Sequence, residues 1–587
     1  MAAIDEKLYS RQLFVMGHAA QSRLAQADVL VVGLRGAGCE VAKNVILMGV
    51  RSVTLFDPAP TQWDDLSAQF YLGERDVGAP RAAACAPRLA ALNPYVQVAV
   101  HAGAALAAAD VARFTVVVAA DQPLREALRL AAAARAGGAK FVLAEARGAF
   151  ARVFCDFGDA FTVDDVTGEP PVACHVAAVS CDAVGTVTVS EDARHGLSDG
   201  DYVTFSELQG MPGLNGCAPR RVAVTGPYSF TIGDTTGLGG AHVRGGSVLQ
   251  VKQPATLRFQ PLAAMVGPVA PEALLPADFG KLDATPALHA GWQALHGWME
   301  EAGGGGPPTP GRHDLEAVAE RVVAAVAAGA GADGAAVLAA GSPTGALLRA
   351  LARTFAGQLS PVTSAVGGLA GQEVLKAASG KFSPLRGWLY FDVAEALPAA
   401  PLPPAETAPR GCRYDGQIAV FGASAQAALG RLRYFLIGAG AIGCEVLKNW
   451  AMMGVGCGAG HEAGAGAGAS SSSSSSSSGG AGGDGGGSGG GGGAVIVTDM
   501  DTIEKSNLSR QFLFRAGDIG AGKAVTACRA ARGMNAALRT VAHEARLGPD
   551  TESTFSDDFW GSLSGVCTAL DNVVRGGGGG GGGGAGE

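Results

Sequence analysis

The sequence lacks features that mark several common classes of protein. Its eleven cysteines are scattered and never spaced as C-x-x-C, which argues against a zinc ribbon or a disulfide framework and favours a reduced intracellular protein. Basic residues are too few for a dedicated nucleic-acid-binding protein, because 44 Lys and Arg face 53 Asp and Glu. We therefore expect no nucleic acid among its partners.

Long apolar segments are missing as well. The first residues, MAAIDEKLYSRQ, carry charges at once, so we expect no secretory signal. The alanine-rich stretch 318–345 is interrupted by glycine and by charged residues, which makes a membrane span a poor interpretation. We expect no association with a membrane.

Glycine, by contrast, is abundant, with 89 residues. Much of it lies in a Ser/Gly segment, 458–493, and in a Gly-rich tail, 576–587, and both compositions predict flexible coil. The whole chain has 587 residues and is 48% hydrophobic, which is enough for three or four domains with real cores.

A long internal repeat is the most informative feature of the sequence. YSRQLFVMG at 9–17 aligns with YDGQIAVFG at 414–422, and VLVVGLRGAGCEVAKNVILMGV at 29–50 aligns in the same register with YFLIGAGAIGCEVLKNWAMMGV at 434–455. After the Ser/Gly segment the register resumes, and the paired stretches are 56–72 with 498–514, 75–82 with 517–524, and Asn93 with Asn535. A strand, a glycine turn, a helix and a strand that ends in Asp form the start of a doubly wound α/β domain. Two such copies in one chain predict a pseudo-dimer.

Two other segments separate the copies. Residues 170–255 alternate apolar and polar side chains between Gly and Asp turns, which predicts a small antiparallel β-barrel. Residues 256–345 contain patterns such as ALHAGWQALHGWMEE, which predict a helical bundle. The return segment 346–400 holds a predicted buried helix followed by a strand, and we expect it to complete the first α/β domain, 1–169. The second copy occupies 401–575.

The second copy carries the residues of a nucleotide site. Gly438, Gly440 and Gly443 form G-x-G-x-x-G between an apolar strand and a helix. The first glycine permits a tight turn, the second lets a phosphate approach the backbone, and the third lets the helix pack on the strand. With the Ser/Gly segment removed, Asp499 follows Gly443 by about twenty residues, where an acid commonly holds ribose hydroxyls. A cap for the end of the strand is the alternative interpretation of Asp499.

The first copy lacks these residues. Arg35 replaces the middle glycine, and its side chain would fill the place of a phosphate. Asn507, Arg510 and Lys523 of the second copy face Asp65, Ala68 and Arg81 of the first. Two cations and an amide donor suit a polyphosphate that undergoes displacement. The pattern predicts a single nucleotide site, in the second copy, with the first copy as its scaffold.

Arg11 is a polar residue that only the first copy keeps, because Gly416 stands at its position in the second. An arginine near the start of a chain is often a solvated surface residue. In a pseudo-dimer, however, it is well placed to reach across into the active half.

The blocks TDMDTIEKSNLSRQFLF, GAGAIGCEVLKN and ALDNV resemble the active adenylation domain of the eukaryotic ubiquitin-activating enzymes, the E1 family. YSRQLFVMG and GLRGAGCEVAKN resemble the inactive adenylation domain of that family, residues 170–255 its first catalytic-cysteine half-domain, and residues 256–345 its four-helix segment. The resemblance spans nearly residues 5–575. It implies tandem Rossmann-like domains of the ThiF type that form a monomeric pseudo-dimer, located in the cytoplasm and nucleus.

The resemblance also implies an activity. Family members activate the C-terminal glycine of ubiquitin with ATP and Mg2+: the carboxylate attacks the α-phosphate, an acyl-adenylate and pyrophosphate form, and a cysteine takes the acyl group for transfer to an E2 conjugating enzyme. Carried over by motif, Ala441 contacts the nucleotide, Asp499 holds the ribose and Leu547 lines the adenine pocket. Asp571 holds magnesium, with Asn572 beside it. The phosphates are bound by Asn507, Arg510, Lys523 and, from the other half, Arg11. A carboxylate that attacks an anionic phosphorus needs positive charge rather than a base.

The chain departs from the family pattern in several places. Ala521 stands where the family has a further lysine, so one phosphate contact is expected to be missing. The Ser/Gly segment separates the glycine-loop helix from the Asp499 strand, and we expect it to protrude from the surface. The large cysteine half-domain and the E2-binding part are absent from the 587 residues, and no cysteine has the family's proline-cysteine-threonine context. We interpret Cys567, in GVCTAL, as a small core residue, so weak adenylation without thioester formation is expected.

Other interpretations remain open. A NAD-dependent dehydrogenase would share the glycine motif and the acid but would not need Asn507, Arg510 and Lys523 after it. An enzyme for SUMO, NEDD8 or FAT10, or a bacterial sulfur-carrier adenylating enzyme, shares the chemistry. Apart from the enzyme for FAT10, these place the halves on separate chains or use one homodimeric copy. A non-catalytic ubiquitin-binding scaffold is the alternative of a different class.

Overall fold

The computed structural model describes residues 4–192, 194–301, 306–331, 334–339, 341–458 and 492–570. Within those ranges, no helix combines the length and apolar character that crossing a membrane requires. The Ser/Gly segment and the tail predicted as coil lie almost wholly outside the described residues.

The fold combines helices and strands along the whole described chain. The helices, in chain order, are α1 (Glu6–Leu24), α2 (Gly36–Met48), α3 (Arg81–Ala90), α4 (Ala108–Ala112), α5 (Leu124–Gly137), α6 (Thr285–Glu301), α7 (Leu315–Gly329), α8 (Gly334–Leu338), α9 (Pro343–Thr354), α10 (Ser360–Ser379), α11 (Pro404–Thr407), α12 (Asp415–Arg431), α13 (Ala441–Met453), α14 (Lys523–Met534) and α15 (Asp557–Gly561). The strands are β1 (Asp28–Val32), β2 (Ser52–Phe56), β3 (Gln97–Val100), β4 (Val116–Ala120), β5 (Lys140–Arg147), β6 (Phe150–Asp156), β7 (Phe161–Val163), β8 (Ala173–Val179), β9 (Thr186–Val189), β10 (Tyr202–Ser206), β11 (Arg220–Arg221), β12 (Ala223–Gly226), β13 (Ser229–Thr231), β14 (Ser247–Gln250), β15 (Ala255–Leu257), β16 (Leu274–Pro276), β17 (Gly387–Asp392), β18 (Arg433–Ile437), β19 (Ala494–Thr498), β20 (Thr540–His543) and β21 (Gly565–Thr568).

The first copy is built on an eight-stranded sheet in the order β16-β17-β6-β5-β4-β1-β2-β3. Strands β1 to β5 run parallel to one another, as in a doubly wound domain, whereas β6 pairs antiparallel with β5. Both faces of β1 are buried: Val29 and Val31 pack into one core, and Leu30 and Val32 into another. The return segment completes this sheet, because β17 pairs with β6, with Trp388 opposite Phe154.

The second copy repeats the start of that sheet, in the order β20-β19-β18-β21, and all its pairs are parallel. The same buried hydrogen bond occurs in both copies and supports the alignment read from the sequence. The Asn93 side-chain amide donates to the Tyr9 hydroxyl at 2.8 Å, and the Asn535 amide donates to the Tyr414 hydroxyl at 2.9 Å. Since tyrosine and asparagine pair identically in both copies, the alignment reflects one shared packing arrangement.

Between the copies, residues 173–250 form a seven-stranded sheet in the order β11-β10-β14-β8-β9-β13-β12. Its two edge strands, β11 and β12, are consecutive in the chain and separated only by Val222, so the sheet is strongly curled. The residues inside it include Val187, Phe205 and Phe230, all buried. This arrangement agrees with the expected small antiparallel barrel.

The predicted helical bundle is present in the structure. Its helices, α6 to α9, run from Thr285 to Thr354, whereas residues 256–284 form β16, part of β15 and short 3-10 turns. Four prolines in that earlier stretch explain why it forms no longer helix, since proline interrupts a helix: Pro261, Pro268, Pro271 and Pro276. The bundle is anchored to the first copy through Arg152, which lies between the rings of Trp292 and Trp388, 4.5 Å from each centroid.

The two copies meet through α2, α10 and α13 around a buried ionic cluster. Glu40 and Lys43 of the first copy pair crosswise with Lys448 and Glu445 of the second, and Glu40 also binds Lys43 at 2.8 Å. Burial by itself raises the pKa of the Glu40 carboxyl, but the charges of Lys43 and Lys448 outweigh burial and hold that pKa well below its usual range. The GCEVxKN motif is therefore shared by both copies because it forms their interface.

Candidate functional site

The glycine loop of the second copy has the three properties that its motif requires. Gly438 directly follows β18 and has φ +98°, a conformation that favours glycine. A Cβ on Gly443 would lie 2.0 Å from the Gly438 carbonyl oxygen, so only glycine lets α13 pack this close to the strand. A Cβ on Gly440 would meet no described atom within 4 Å. Gly440 is the N-cap of α13 and has no side chain to cap the first N–H groups, which leaves them available to an anion.

The equivalent turn of the first copy is filled by its own side chains. Arg35 Nε donates to Asp65 Oδ1 at 2.7 Å, and the guanidinium also pairs with Asp64. Asp65 in turn accepts from Arg81 Nε at 2.6 Å. This closed ionic cluster occupies the space that stands open beside Gly440 in the second copy.

The three phosphate-binding candidates of the second copy come from two segments that follow β19. Asn507 lies in the 3-10 turn Lys505–Asn507 and is 7% exposed, and its side-chain oxygen accepts from the Glu504 N–H at 2.9 Å. Arg510 donates to the Ser506 carbonyl at 2.7 Å. Lys523 is the first residue of α14, and its Nζ pairs with Asp501 at 2.8 Å. The side chain of Asn507 thus replaces the acid that pairs with Arg35 in the first copy.

Asp499 holds the glycine loop in place. Its Oδ2 accepts from the Ala439 N–H at 2.6 Å and its Oδ1 from the Asp501 N–H at 2.9 Å. Asp57 makes the equivalent contacts in the first copy, to the N–H groups of Leu34 and Ala59. Because both copies share this arrangement, the strand-end role of Asp499 is structural. Each carboxylate oxygen keeps lone-pair capacity for a further hydrogen bond, which is what a contact with a ribose hydroxyl requires.

Arg11 lies exposed on α1, and α1 packs against the 3-10 turn that carries Asn507. An ion pair fixes this contact: Lys505 Nζ lies 2.6 Å from Asp5 Oδ2, and Asp5 also caps α1 through the Leu8 N–H. The pseudo-symmetric position, Gly416, has no such room, since a Cβ there would lie 2.8 Å from the Gln358 Cβ. The helix that carries Arg11 therefore contacts the second copy's site, whereas at the equivalent position, Gly416, there is no space for a side chain.

The remaining predicted site residues fall in different places. Ala441 is the first residue of α13, directly after Gly440. Leu547 is partly buried against the small apolar cluster of Phe435, Ile437, Ile496 and Phe555. Asp571 and Asn572 lie outside the described residues. Within the described ranges, no group of three or more His, Cys, Asp or Glu side chains is arranged to hold a metal ion.

The cysteines nearest this loop are poor nucleophiles. Cys444 is fully buried at the start of α13, and burial raises the pKa of its thiol to about 12. Cys39, its counterpart in the first copy, is equally buried, and burial also raises its thiol pKa well above the ordinary value. Cys567 lies on β21 and packs against the main core, in line with its interpretation as a core residue.

Sequence reasoning missed the residues that hold the site together. Asp5, Asp501 and Lys505 make ion pairs within it, and none belongs to the glycine motif. Sequence reasoning also recorded Glu445 and Lys448 only as part of the repeat. The signal for their role is that the first copy has the same residue types at the equivalent positions. A residue that is identical in both halves is expected at a feature that both halves share, such as their interface.

Comparisons with known sequences agree with this architecture. The chain matches the profile of the ThiF family over residues 414–575, the ubiquitin-activating enzyme E1 FCCH domain over 182–252, and the ubiquitin-activating enzyme E1 four-helix bundle over 253–326. It is 46% identical to the ubiquitin-like modifier-activating enzyme 1 of Rattus norvegicus over 574 residues, which are 97% of this chain and 50% of the relative. The ubiquitin-activating enzyme E1 1 of Schizosaccharomyces pombe is 40% identical over 578 residues, which are 97% of this chain and 52% of the relative.

The chain is homologous to the ubiquitin-activating enzymes, the E1 family. It spans about half the length of the curated relatives that it matches. Among solved structures, E. coli MccB with succinimide is 18% identical, covering 25% of this chain and 46% of that chain with a TM-score of 0.23. A TM-score this low carries no argument about this chain.

Proposed function

We propose that this chain binds one molecule of Mg·ATP at the glycine loop of its second copy and uses it to adenylate the C-terminal glycine of ubiquitin. The observation that carries the proposal is the contrast between the two turns. Arg35 fills the first turn with a closed ionic cluster that includes Asp65 and Arg81, whereas Gly440 leaves the second turn open, with Asn507 and Lys523 at the equivalent positions.

The residues around the open turn fit a triphosphate. The uncapped start of α13 offers N–H donors at the positive end of the helix dipole. Lys523 and Arg510 supply positive charge from the second copy, and Arg11 would add to it from α1. When bound, Mg·ATP supplies an electrophilic phosphorus and a pyrophosphate leaving group. A carboxylate is already nucleophilic, so the task of the protein is to position it and to stabilise negative charge.

Another ubiquitin-like modifier is the second candidate substrate, because the name of the rat relative specifies only a ubiquitin-like modifier. The family resemblance also implies transfer of the activated modifier to a cysteine and then to an E2 enzyme. We assign this role to none of the described cysteines near the site. Magnesium would be held by Asp571, as the motif implies.

Titration with a fluorescent ATP analogue, mant-ATP, tests the nucleotide site. We expect one site per chain, and Gly440→Arg should abolish it because the new side chain reproduces the effect of Arg35. The matched control is Arg35→Gly, which should leave the stoichiometry at one, since the first copy also lacks the phosphate donors. Two equivalent sites in the unchanged protein, or full binding by Gly440→Arg, would contradict the proposal.

Ubiquitin-dependent exchange of pyrophosphate into ATP tests the adenylation step. The expected result is exchange with ubiquitin and none with ubiquitin that lacks its last glycine. Exchange with SUMO, NEDD8 or FAT10 but not with ubiquitin would identify the other substrate. Tight mant-ATP binding with no exchange for any modifier would indicate a non-catalytic protein.

A further inference from the structure

A cavity of about 800 Å3 lies between the two copies. Its walls come from residues 70–75 with Arg88 and Ala91 in the first copy, and from Arg413, 512–513, Arg515, Ala530 and 533–537 in the second. None of Gly440, Asn507, Arg510 and Lys523 lines it. The cavity is therefore distinct from the site described above.

Arginines from both copies dominate the charge of this cavity. Its lining includes Arg75 and Arg88 on one side, Arg413 and Arg515 on the other, and only one acid, Glu74. Asp76 balances part of the charge, because it lies 3.2 Å from Arg88. Arg75 is four-fifths exposed and 4.0 Å from Asp76, so its charge is largely uncompensated.

Arg413 and Arg515 have no carboxylate partner among the described residues. Arg413 is 6% exposed and donates to the Met534 carbonyl at 2.8 Å, while its buried Nε has no described hydrogen-bond partner. Arg515 donates to the carbonyls of Phe512 and Phe514 at 2.6 and 2.9 Å. Carbonyl oxygens satisfy N–H groups but do not neutralise a full charge, and a buried charge without a counter-ion is costly.

Aromatic side chains also line the cavity. Phe70, Tyr71 and Phe512 are nearly fully buried there, the Tyr71 hydroxyl accepts from Arg515 at 3.5 Å, and the rings of Phe70 and Phe512 lie 5.7 Å apart across the interface. A cavity lined by aromatic rings and by arginines from both copies suits a ligand with an organic body and several negative groups. Guanidinium groups bind both phosphate and carboxylate in bidentate geometry.

We propose that this cavity binds a small organic polyanion, whose phosphate or carboxylate groups are held by Arg75 and Arg88 of the first copy and by Arg413 and Arg515 of the second. A ligand bound there joins the two copies and stabilises their association, because it binds only the assembled pseudo-dimer.

The test uses tripolyphosphate as the probe, with citrate as the carboxylate counterpart, in isothermal titration calorimetry. All proteins carry Lys523→Ala, which removes a cation from the proposed nucleotide site. In that background we expect either probe to bind with a stoichiometry of one, and Arg515→Ala to weaken binding about tenfold or more, as is typical for loss of a charge-assisted hydrogen bond. Arg529→Ala is the matched control, because Arg529 lies on α14 outside the cavity and pairs with Asp518.

Arg75→Ala provides the second variant, since an exposed side chain can be removed without disturbing the core. Weakening by Arg75→Ala and Arg515→Ala, with Arg529→Ala unchanged, supports the cavity as the site. A preference between the two probes distinguishes a phosphate ligand from a carboxylate ligand. The proposal is overturned if neither probe binds in the Lys523→Ala background, or if the affinity stays the same in both Arg75→Ala and Arg515→Ala. These results do not depend on whether ATP binds at the glycine loop.

Discussion

Single residues make the glycine turns of the two copies differ. Arg35 and Gly440 occupy equivalent positions at the start of α2 and α13, yet one closes its turn with a salt bridge to Asp65 and the other leaves it open. A second pair, Arg11 and Gly416, adds to this difference, because a side chain is present only where there is room for it. The asymmetry is thus concentrated in a few positions of an otherwise repeated structure.

Replacement of Arg11 by alanine tests whether the first copy contributes to the second copy's site. Arg11→Ala should weaken mant-ATP binding about tenfold, because it removes one of the positive charges near the phosphates. Thermal stability should stay nearly the same, since exposed charges contribute little to it. Lys7→Ala, also exposed on α1, is the control and should bind like the unchanged protein. Equal affinities for Arg11→Ala and Lys7→Ala would return Arg11 to the role of a solvated surface residue.

At the level of elements, two glycines of the loop before α13 meet different needs, one of folding and one of ligand binding. Gly443 allows the helix to approach β18, whereas a Cβ on Gly440 would contact no atom of the described structure. Gly440 also has φ −72° and ψ −159°, which an L-residue can adopt without strain. Two glycines of one motif therefore serve different purposes.

Alanine at each position should reveal this difference. Gly443→Ala should lower the free energy of unfolding by about 2 kcal/mol, because its Cβ overlaps the Gly438 carbonyl and the helix must move. Gly440→Ala should unfold like the unchanged protein but bind mant-ATP more weakly, since its Cβ projects toward the expected phosphate. Urea unfolding and mant-ATP titration measure the two effects. If Gly440→Ala lost stability and kept its affinity, the loop would have no role in phosphate binding.

For the whole molecule, the ionic cluster between the copies is the main polar feature of the interface. Glu40, Lys43 and Lys448 are fully or almost fully buried, and Lys43 and Lys448 also face the rings of Phe70 and Phe512. Buried charges specify one mutual arrangement of the copies because any shift would leave a charge unpaired. That arrangement places α1 of the first copy against the site of the second.

The cluster predicts a defined loss of stability in acid. The pKa of Glu40 is lower in the folded protein than in the unfolded chain, so its contribution is complete above the unfolded value of about 4.5 and is lost as the pH falls toward about 2. Glu40→Gln should lower the free energy of unfolding at pH 7 by about 3 kcal/mol, because Lys43 and Lys448 lose their shared counter-ion.

Urea unfolding between pH 3 and 7 provides the measurement. Stability of the unchanged protein should fall below about pH 4.5, and Glu40→Gln should fall less steeply over the same range. Glu301→Gln serves as the control, because Glu301 is exposed and its ion pair among the described residues is with Arg321 at the bundle surface. An identical pH dependence for Glu40→Gln and the unchanged protein would show that the cluster does not control stability in acid.

The tandem organisation follows from the sequence alone, because strands, glycine turns and helices follow from local patterns that repeat at a fixed offset. The sequence also identified Arg35 as a side chain that would fill the place of a phosphate, since the size and charge of one side chain in a known turn are local properties. Within the predicted bundle segment, the helices themselves begin only at Thr285, because the proline-rich stretch before it carries no helical periodicity.

Contacts between residues that are distant in the chain follow from the tertiary fold. The pairing of Glu40 with Lys448, of Asp5 with Lys505, and of Arg515 with the walls of the interface cavity joins positions hundreds of residues apart. Such contacts depend on how the two copies are rotated against each other, which no periodicity along the chain encodes. The same reason explains Asp499: its spacing suggested a ligand contact, but only the structure shows that its carboxylate fixes the loop in the same way as Asp57.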